Sequence, residues 1–161
     1  MKTSHNGIHL IKYFEGVRNR PYKCSARVWT IGVGHVLYEK QLCMPLAERD
    51  TYKLKPEDDR IWSSEEIDGL LRKDLLRFEA GVLRLLGTVQ PKQSEFDALV
   101  SFSFNLGLGT FQRSTVRSAF LRGDKETAGE TLLKYCRAGG KVLLGLQRRR
   151  MAEHAMFMSG A

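Results

Sequence analysis

The stretch Glu15–His35, EGVRNRPYKCSARVWTIGVGH, is where the chain changes character. Just ahead of it, Ile8, Ile11 and Phe14 recur three residues apart with Leu10 beside them. That is the spacing of a short amphipathic helix ending near Glu15, with Gly16 as its stop. Inside the stretch, Pro21, Tyr22, Val28, Trp29, Thr30 and Ile31 favour extended backbone, broken at Ser25 to Arg27. A small hairpin or three-stranded sheet is expected. Gly32 and Gly34 within TIGVGH mark bulges or a close backbone approach. A glutamate at a helix end directly before a sheet is placed to project its carboxyl into a cleft. If partly desolvated there, it has a raised pKa and donates a proton near neutral pH.

Working outward, Tyr38 to Trp62 is irregular and charge-rich with Pro45 and Pro56, which reads as a surface loop with at most a short helix, a candidate cleft rim. Ser63 to Glu66 is a capping-box signature, and Ile67, Leu70, Leu71, Leu75, Phe78, Val82 and Leu85 form the apolar stripe of a long helix. Pro91 opens a helix whose Phe96, Leu99, Val100 and Phe102 predict a central, buried position, closed by Asn105 with Gly107 and Gly109. Ser114 caps a helix to Arg122, stopped by Gly123, and Asp124 caps another to about Cys136, stopped by Gly139 and Gly140. A last helix is expected over about 144–157. The sum is an α+β chain with its elements segregated. A small β-containing lobe over about 15–62 and a larger helical lobe over about 64–161 plus 1–14 would be joined by the long helix into one domain.

At 161 residues, 42% hydrophobic and 27% charged, the chain has the make-up of one folded domain rather than a disordered or fibrous protein. It has no apolar run of the roughly 18 residues that span a bilayer, and its start, MKTSHNGIHL, has no secretion-signal pattern. A soluble protein with no stable membrane insertion is expected. A net charge of +8 points to a polyanionic partner: nucleic acid, acidic membrane or cell wall. A nucleic-acid-binding module rests only on that balance and on the Arg148–Arg150 run, with no helix-turn-helix, zinc or RNP-like pattern beside it. Cys24, Cys43 and Cys136 have no CxxC spacing and the four histidines no HExxH, so free thiols, no metal and no cofactor are expected.

Glu15, eight residues, Cys24, five residues, Thr30 and then Ile31-Gly32-Val33-Gly34-His35 resembles the motif of the phage-type lysozymes, the endolysin muramidases of lambdoid-like bacteriophages in glycoside hydrolase family 24. The likeness extends through QSEFDALVSFSFNLG at Gln93–Gly107, FQRSTV at Phe111–Val116 and GLQRRRMAE at Gly145–Glu153. It implies a lysozyme-like fold and hydrolysis of the β-1,4 bond between N-acetylmuramic acid and N-acetylglucosamine in bacterial peptidoglycan, causing host cell lysis. By the same resemblance Glu15 is the acid, while Cys24 and Thr30 hold the attacking water on the opposite face of the sugar, giving inversion.

The family more often has aspartate where this chain has Cys24. An ordinary thiol, with a pKa of about 8.5, is only a few per cent ionised at neutral pH, so Arg18, Arg20, Lys23 or Arg27 would have to lower it. A disulfide from Cys24 to Cys43 or Cys136 would block it. A lytic transglycosylase, which needs one glutamate and releases 1,6-anhydro products, is the alternative activity. The resemblance also implies a structural pair of His35 with Asp74. It gives Arg149 a direction inward toward Glu15, with Arg148 and Arg150 on a solvated basic face. Asn105 is expected to hydrogen-bond a sugar, or backbone near the acid, or else to serve as a helix C-cap. Trp29 and Trp62 are expected to pack rather than to stack on sugars. A monomer is expected, held in the host cytoplasm until a holin opens the inner membrane and then released to the periplasm and cell wall.

Overall fold

The computed structural model describes residues 1–160. In chain order the elements are α1 (His5–Glu15), β1 (Arg18–Lys23), β2 (Trp29–Gly32), β3 (His35–Val36), a 3-10 turn (Glu39–Cys43), α2 (Leu46–Thr51) and α3 (Ser64–Leu86). There follow α4 (Gln93–Leu106), α5 (Leu108–Arg113), α6 (Thr115–Leu121), α7 (Lys125–Leu132), β4 (Arg137–Ala138), β5 (Lys141–Val142) and α8 (Leu144–Met158). The class is α+β, as the element pattern predicts. Two compact units are present: Glu15–Asp74, and Met1–Phe14 with the chain from Leu75 onward.

In the unit of Glu15–Asp74 the three strands form one antiparallel sheet in the order β1-β2-β3. Tyr22 faces Thr30, Lys23 faces Trp29 and Ile31 faces His35, with a register irregularity between Arg18 and Tyr22. Val28, Ile31, Val33, Tyr38, Ile67 and Leu71 are its buried apolar residues. Gly32 cannot be replaced without strain: its φ is +66°, and a Cβ there would lie 2.9 Å from Ile67 Cγ2. The capping box at the start of α3 forms as its sequence predicts, Ser63 Oγ accepting from the Glu66 N–H at 3.1 Å and Glu66 Oε1 from the Ser63 N–H at 3.2 Å. Where the proline-bearing loop was expected, the chain makes the 3-10 turn and α2, with Pro45 at the N-cap of α2.

The second unit is helical. α4 is its centre, with Phe96, Leu99, Val100 and Phe102 fully buried, and it packs against α8. Phe102 meets Phe111 and Phe120 meets Phe157 edge to face, at centroid separations of 6.4 and 5.8 Å. Ser114 and Asp124 cap α6 and α7 through the Arg117 and Thr127 N–H groups. Two boundaries differ from the expected ones. Gly107, at φ +91°, ends α4 alone, and Gly109 lies inside the separate short helix α5. α7 stops at Leu132 rather than near Cys136, because Gly139 and Gly140 both adopt positive φ, +58° and +77°, and close the β4–β5 hairpin. Among the described residues, no helix is long and apolar enough to cross a membrane.

Candidate active site

Glu15 is the last residue of α1, and Gly16, at φ +78°, turns the chain out of the helix toward β1. A carboxylate at a helix C-terminus meets the negative end of the helix dipole, so this placement does not serve helix stability. The residue is exposed.

Cys24 and Thr30 come from the β1–β2 hairpin. The turn between them is closed by the Cys24 N–H donating to the Val28 carbonyl at 3.1 Å and the Arg27 N–H to the Cys24 carbonyl at 2.8 Å. Arg27 has φ +60°, an uncommon conformation for a residue with a Cβ. Thr30 is buried, its Oγ1 3.0 Å from the Val28 carbonyl oxygen. Partial burial pushes the Cys24 thiol up. Hydrogen bonding with the Thr30 side chain and with the backbone at Val28 and Ala26 outweighs burial and leaves the thiol below its ordinary value. The expected agents were basic side chains, and three of the four are engaged elsewhere. Lys23 Nζ donates to the Arg49 and Asp50 carbonyls at 2.7 and 2.8 Å, and Arg27 pairs with Asp50 at 3.3 Å. The Arg18 guanidinium lies over the Tyr22 ring, 4.5 Å from its centroid.

Tyr22 is half-buried on β1. Burial raises its phenol pKa, Arg18 lowers it, and the charges of Cys24 and Glu15 raise it. The phenol therefore lies within electrostatic reach of both groups, on the strand position directly opposite Thr30. Sequence reasoning passed over Tyr22 except as a strand former; its place two residues before Cys24 was the available signal.

His35 Nδ1 lies 2.8 Å from Asp74 Oδ2, both half-buried. We expect His35→Asn to cost about 1 kcal/mol, the scale of a partly exposed charge-assisted pair. The melting temperature should fall while activity per folded molecule stays near the parental value. Activity lost at unchanged melting would contradict a structural role. The indole N–H of Trp29 donates to the Tyr52 carbonyl at 2.9 Å and that of Trp62 to the Asp58 carbonyl at 3.1 Å, so both rings are held by the fold.

Asn105 sits in the last turn of α4, two residues before the cap, and its Oδ1 accepts from Arg150 Nη2 at 2.8 Å. Arg149 and Arg150 are both buried, which corrects the placement of Arg150 on a solvated face. Arg149 Nε lies 3.2 Å from Glu153 Oε1, its Nη2 reaches the Ser101 carbonyl at 3.2 Å, and its guanidinium lies 6.0 Å from the Phe14 ring centroid. Arg150 Nε is 2.8 Å from Glu153 Oε2, and Ser101 Oγ donates to Glu153 Oε1 at 2.7 Å. Burial pushes the Glu153 carboxyl up, with Arg150, Ser101 and Arg149 pulling against it. The i+3 and i+4 spacing of Glu153 from the two arginines was the legible clue to this cluster. The three cysteines are free, and among the described residues no group of three His, Cys, Asp or Glu side chains could hold a metal.

The model of the family described as phage lysozyme matches residues 12–153. The chain belongs to the phage lysozyme family. It is 38% identical to an endolysin of Bacillus phage B103 over 99% of its length, covering 55% of that relative, so it spans about half the length of this longer protein. It is 34% identical to an endolysin of Acyrthosiphon pisum secondary endosymbiont phage 1, with 99% of each chain covered. Among solved structures, the muramidase domain of SpmX from Asticaccaulis excentricus superposes with a TM-score of 0.77 at 31% identity, covering 98% of this chain and 97% of that one. As a phage lysozyme, the chain has its glutamate at the end of α1 and its cysteine and threonine on one hairpin.

Proposed function

We propose that this phage lysozyme is an endolysin that hydrolyses the β-1,4 bond between N-acetylmuramic acid and N-acetylglucosamine in peptidoglycan. What supports the proposal is the placement of three groups: Cys24 and Thr30 flank one hairpin turn, and Glu15 ends the helix that leads directly into that hairpin. Glu15 donates its proton to the departing glycosidic oxygen as the bond to C1 of N-acetylmuramic acid breaks. Water, oriented by the Cys24 sulfur and the Thr30 hydroxyl, adds to C1 from the opposite face. Its released proton passes to the solvent or to Cys24, and Glu15 is reprotonated, so the net change is one water consumed. Attack from the opposite face inverts the anomeric centre.

Clearing of purified peptidoglycan by Cys24 variants tests these roles. We expect Cys24→Asp to be at least as active as the parent, and Cys24→Ala to lose about 100-fold in kcat, the low end of what a positioned proton acceptor supplies. An alanine variant with full activity would make the thiol a spectator.

The net charge of +8 favours accumulation at the anionic envelope, a long-range attraction that salt screens. As an endolysin, the protein acts as a monomer on the cell wall, held in the host cytoplasm until a holin opens the inner membrane.

A further inference from the structure

The segment from Glu39 to Tyr52, expected only to line a rim, is bonded to the hairpin that carries Cys24 and Thr30 through several side chains. Arg49 is its hub. Its guanidinium donates three hydrogen bonds to backbone carbonyls: Nε to Met44 at 2.9 Å, Nη2 to Leu42 at 2.7 Å and Nη1 to Ala26 at 3.0 Å. Met44 and Leu42 belong to the segment itself, whereas Ala26 is the middle of the turn after Cys24. The planar fork of one arginine thus joins the two pieces of backbone in a fixed geometry, which a lysine ammonium cannot reproduce.

Five more bonds run between the same pieces. Lys23 Nζ reaches the Arg49 and Asp50 carbonyls at 2.7 and 2.8 Å, and Arg27 pairs with Asp50 at 3.3 Å. Buried Gln41 accepts from the Trp29 N–H through Oε1 at 3.0 Å, next to Thr30. The Trp29 indole donates to the Tyr52 carbonyl at 2.9 Å. The turn itself has a cost to meet. Arg27 is held at φ +60°, and such a conformation persists where surrounding bonds over-determine it.

We propose that Arg49 is a positioning residue for the water-activating pair: by clamping the Ala26 carbonyl to the Glu39–Tyr52 segment it holds the turn in the one shape that brings the Cys24 sulfur to the Thr30 hydroxyl. It touches no substrate and acts through Cys24. This rests on the proposed hydrolysis for its kinetic consequence, but not for its consequence on the thiol. The hydrogen bonds that keep the thiol below its ordinary value, from Thr30 and from the backbone at Val28 and Ala26, all belong to the clamped turn. The charged and titratable groups on the elements around that turn are Glu15 at the end of α1, Arg18, Arg20, Tyr22 and Lys23 on β1, Arg27 in the turn, and Glu48, Arg49 and Asp50 on α2.

The experiment uses the full chain with Cys43→Ser and Cys136→Ser, leaving one thiol, and follows its alkylation by iodoacetamide against pH together with kcat and KM on peptidoglycan. In Arg49→Ala the midpoint of alkylation should move up toward that of an ordinary thiol. The kcat should fall by about tenfold at nearly constant KM, a modest share of the roughly 100-fold that an ångström of misplacement costs. Arg49→Lys, which keeps the charge and one or two of the three bonds, should fall between, and it decides the matter if Arg49→Ala does not fold. A lowered melting temperature alone would be the mark of a structural role. Folded Arg49 variants with the parental alkylation midpoint and kcat would overturn the proposal. If the parent does not cleave peptidoglycan the hydrolase assignment fails, and the alkylation profile still decides whether Arg49 sets the thiol.

Discussion

Glu15→Gln should reduce the release of soluble muropeptides by about 1,000-fold, because a positioned general acid contributes on the order of 100- to 10,000-fold and the amide has no proton to give at neutral pH. Glutamine keeps the shape and the hydrogen-bonding span of the side chain. Glu15 is exposed at the end of α1, so the variant should fold and should still bind peptidoglycan. The loss is therefore expected in kcat and not in KM, the pattern of an interaction made only in the transition state. Turnover of defined glycan fragments checks this, with thermal melting on the same preparation as the control for folding. A Glu15→Gln protein that works at a tenth of the parental rate would move the proton donor elsewhere.

The second large effect is on stability and comes from Glu153. This carboxylate is fully buried between two buried guanidiniums, with Arg150 Nε at 2.8 Å and Arg149 Nε at 3.2 Å. Glu153→Ala would remove the buried carboxylate that two buried guanidiniums share inside the helical unit. Removing one partner of a buried ionic network costs roughly 3 to 5 kcal/mol. For a chain of this size that corresponds to a drop of about 10 °C in melting temperature. The effect should reach Asn105 as well, since the arginine that holds its Oδ1 at 2.8 Å is itself anchored on Glu153. Calorimetry on Glu153→Ala, with the exposed Arg148→Ala as a comparison, separates the two outcomes: Arg148→Ala should melt within about 2 °C of the parent, as surface substitutions do. Equal melting of the two variants would show that the cluster adds nothing to stability.

Much of this was legible in the sequence because the relevant signals are local. Helix periodicity, the Ser63–Glu66 capping box, the Ser114 and Asp124 caps and the glycines of TIGVGH each act within a few residues, and each appears in the structure where its pattern lies. The Gly139-Gly140 pair was misjudged as a helix stop because two successive glycines serve equally well as a terminator and as a positive-φ hairpin turn. Only the pairing of the flanking residues, Arg137 with Val142 and Ala138 with Lys141, distinguishes them. The burial of Arg150 was hidden by its neighbours, since a run of three arginines looks like a solvated face until Glu153 and Asn105 are placed beside it. The clamp of Arg49 on Ala26 was out of reach altogether. It joins residues 23 apart through backbone carbonyls, which every residue has and no pattern reveals.

The cysteine at position 24 also separates two chemistries that share a glutamate. Hydrolysis needs the water that Cys24 and Thr30 are proposed to hold, whereas ring closure by the sugar's own 6-hydroxyl does not. Mass spectrometry of the muropeptides released by the parent protein measures which occurs. Products ending in reducing N-acetylmuramic acid, carrying the added water, are expected. Products lighter by one water, with a 1,6-anhydro end, would contradict the role given to Cys24 and Thr30.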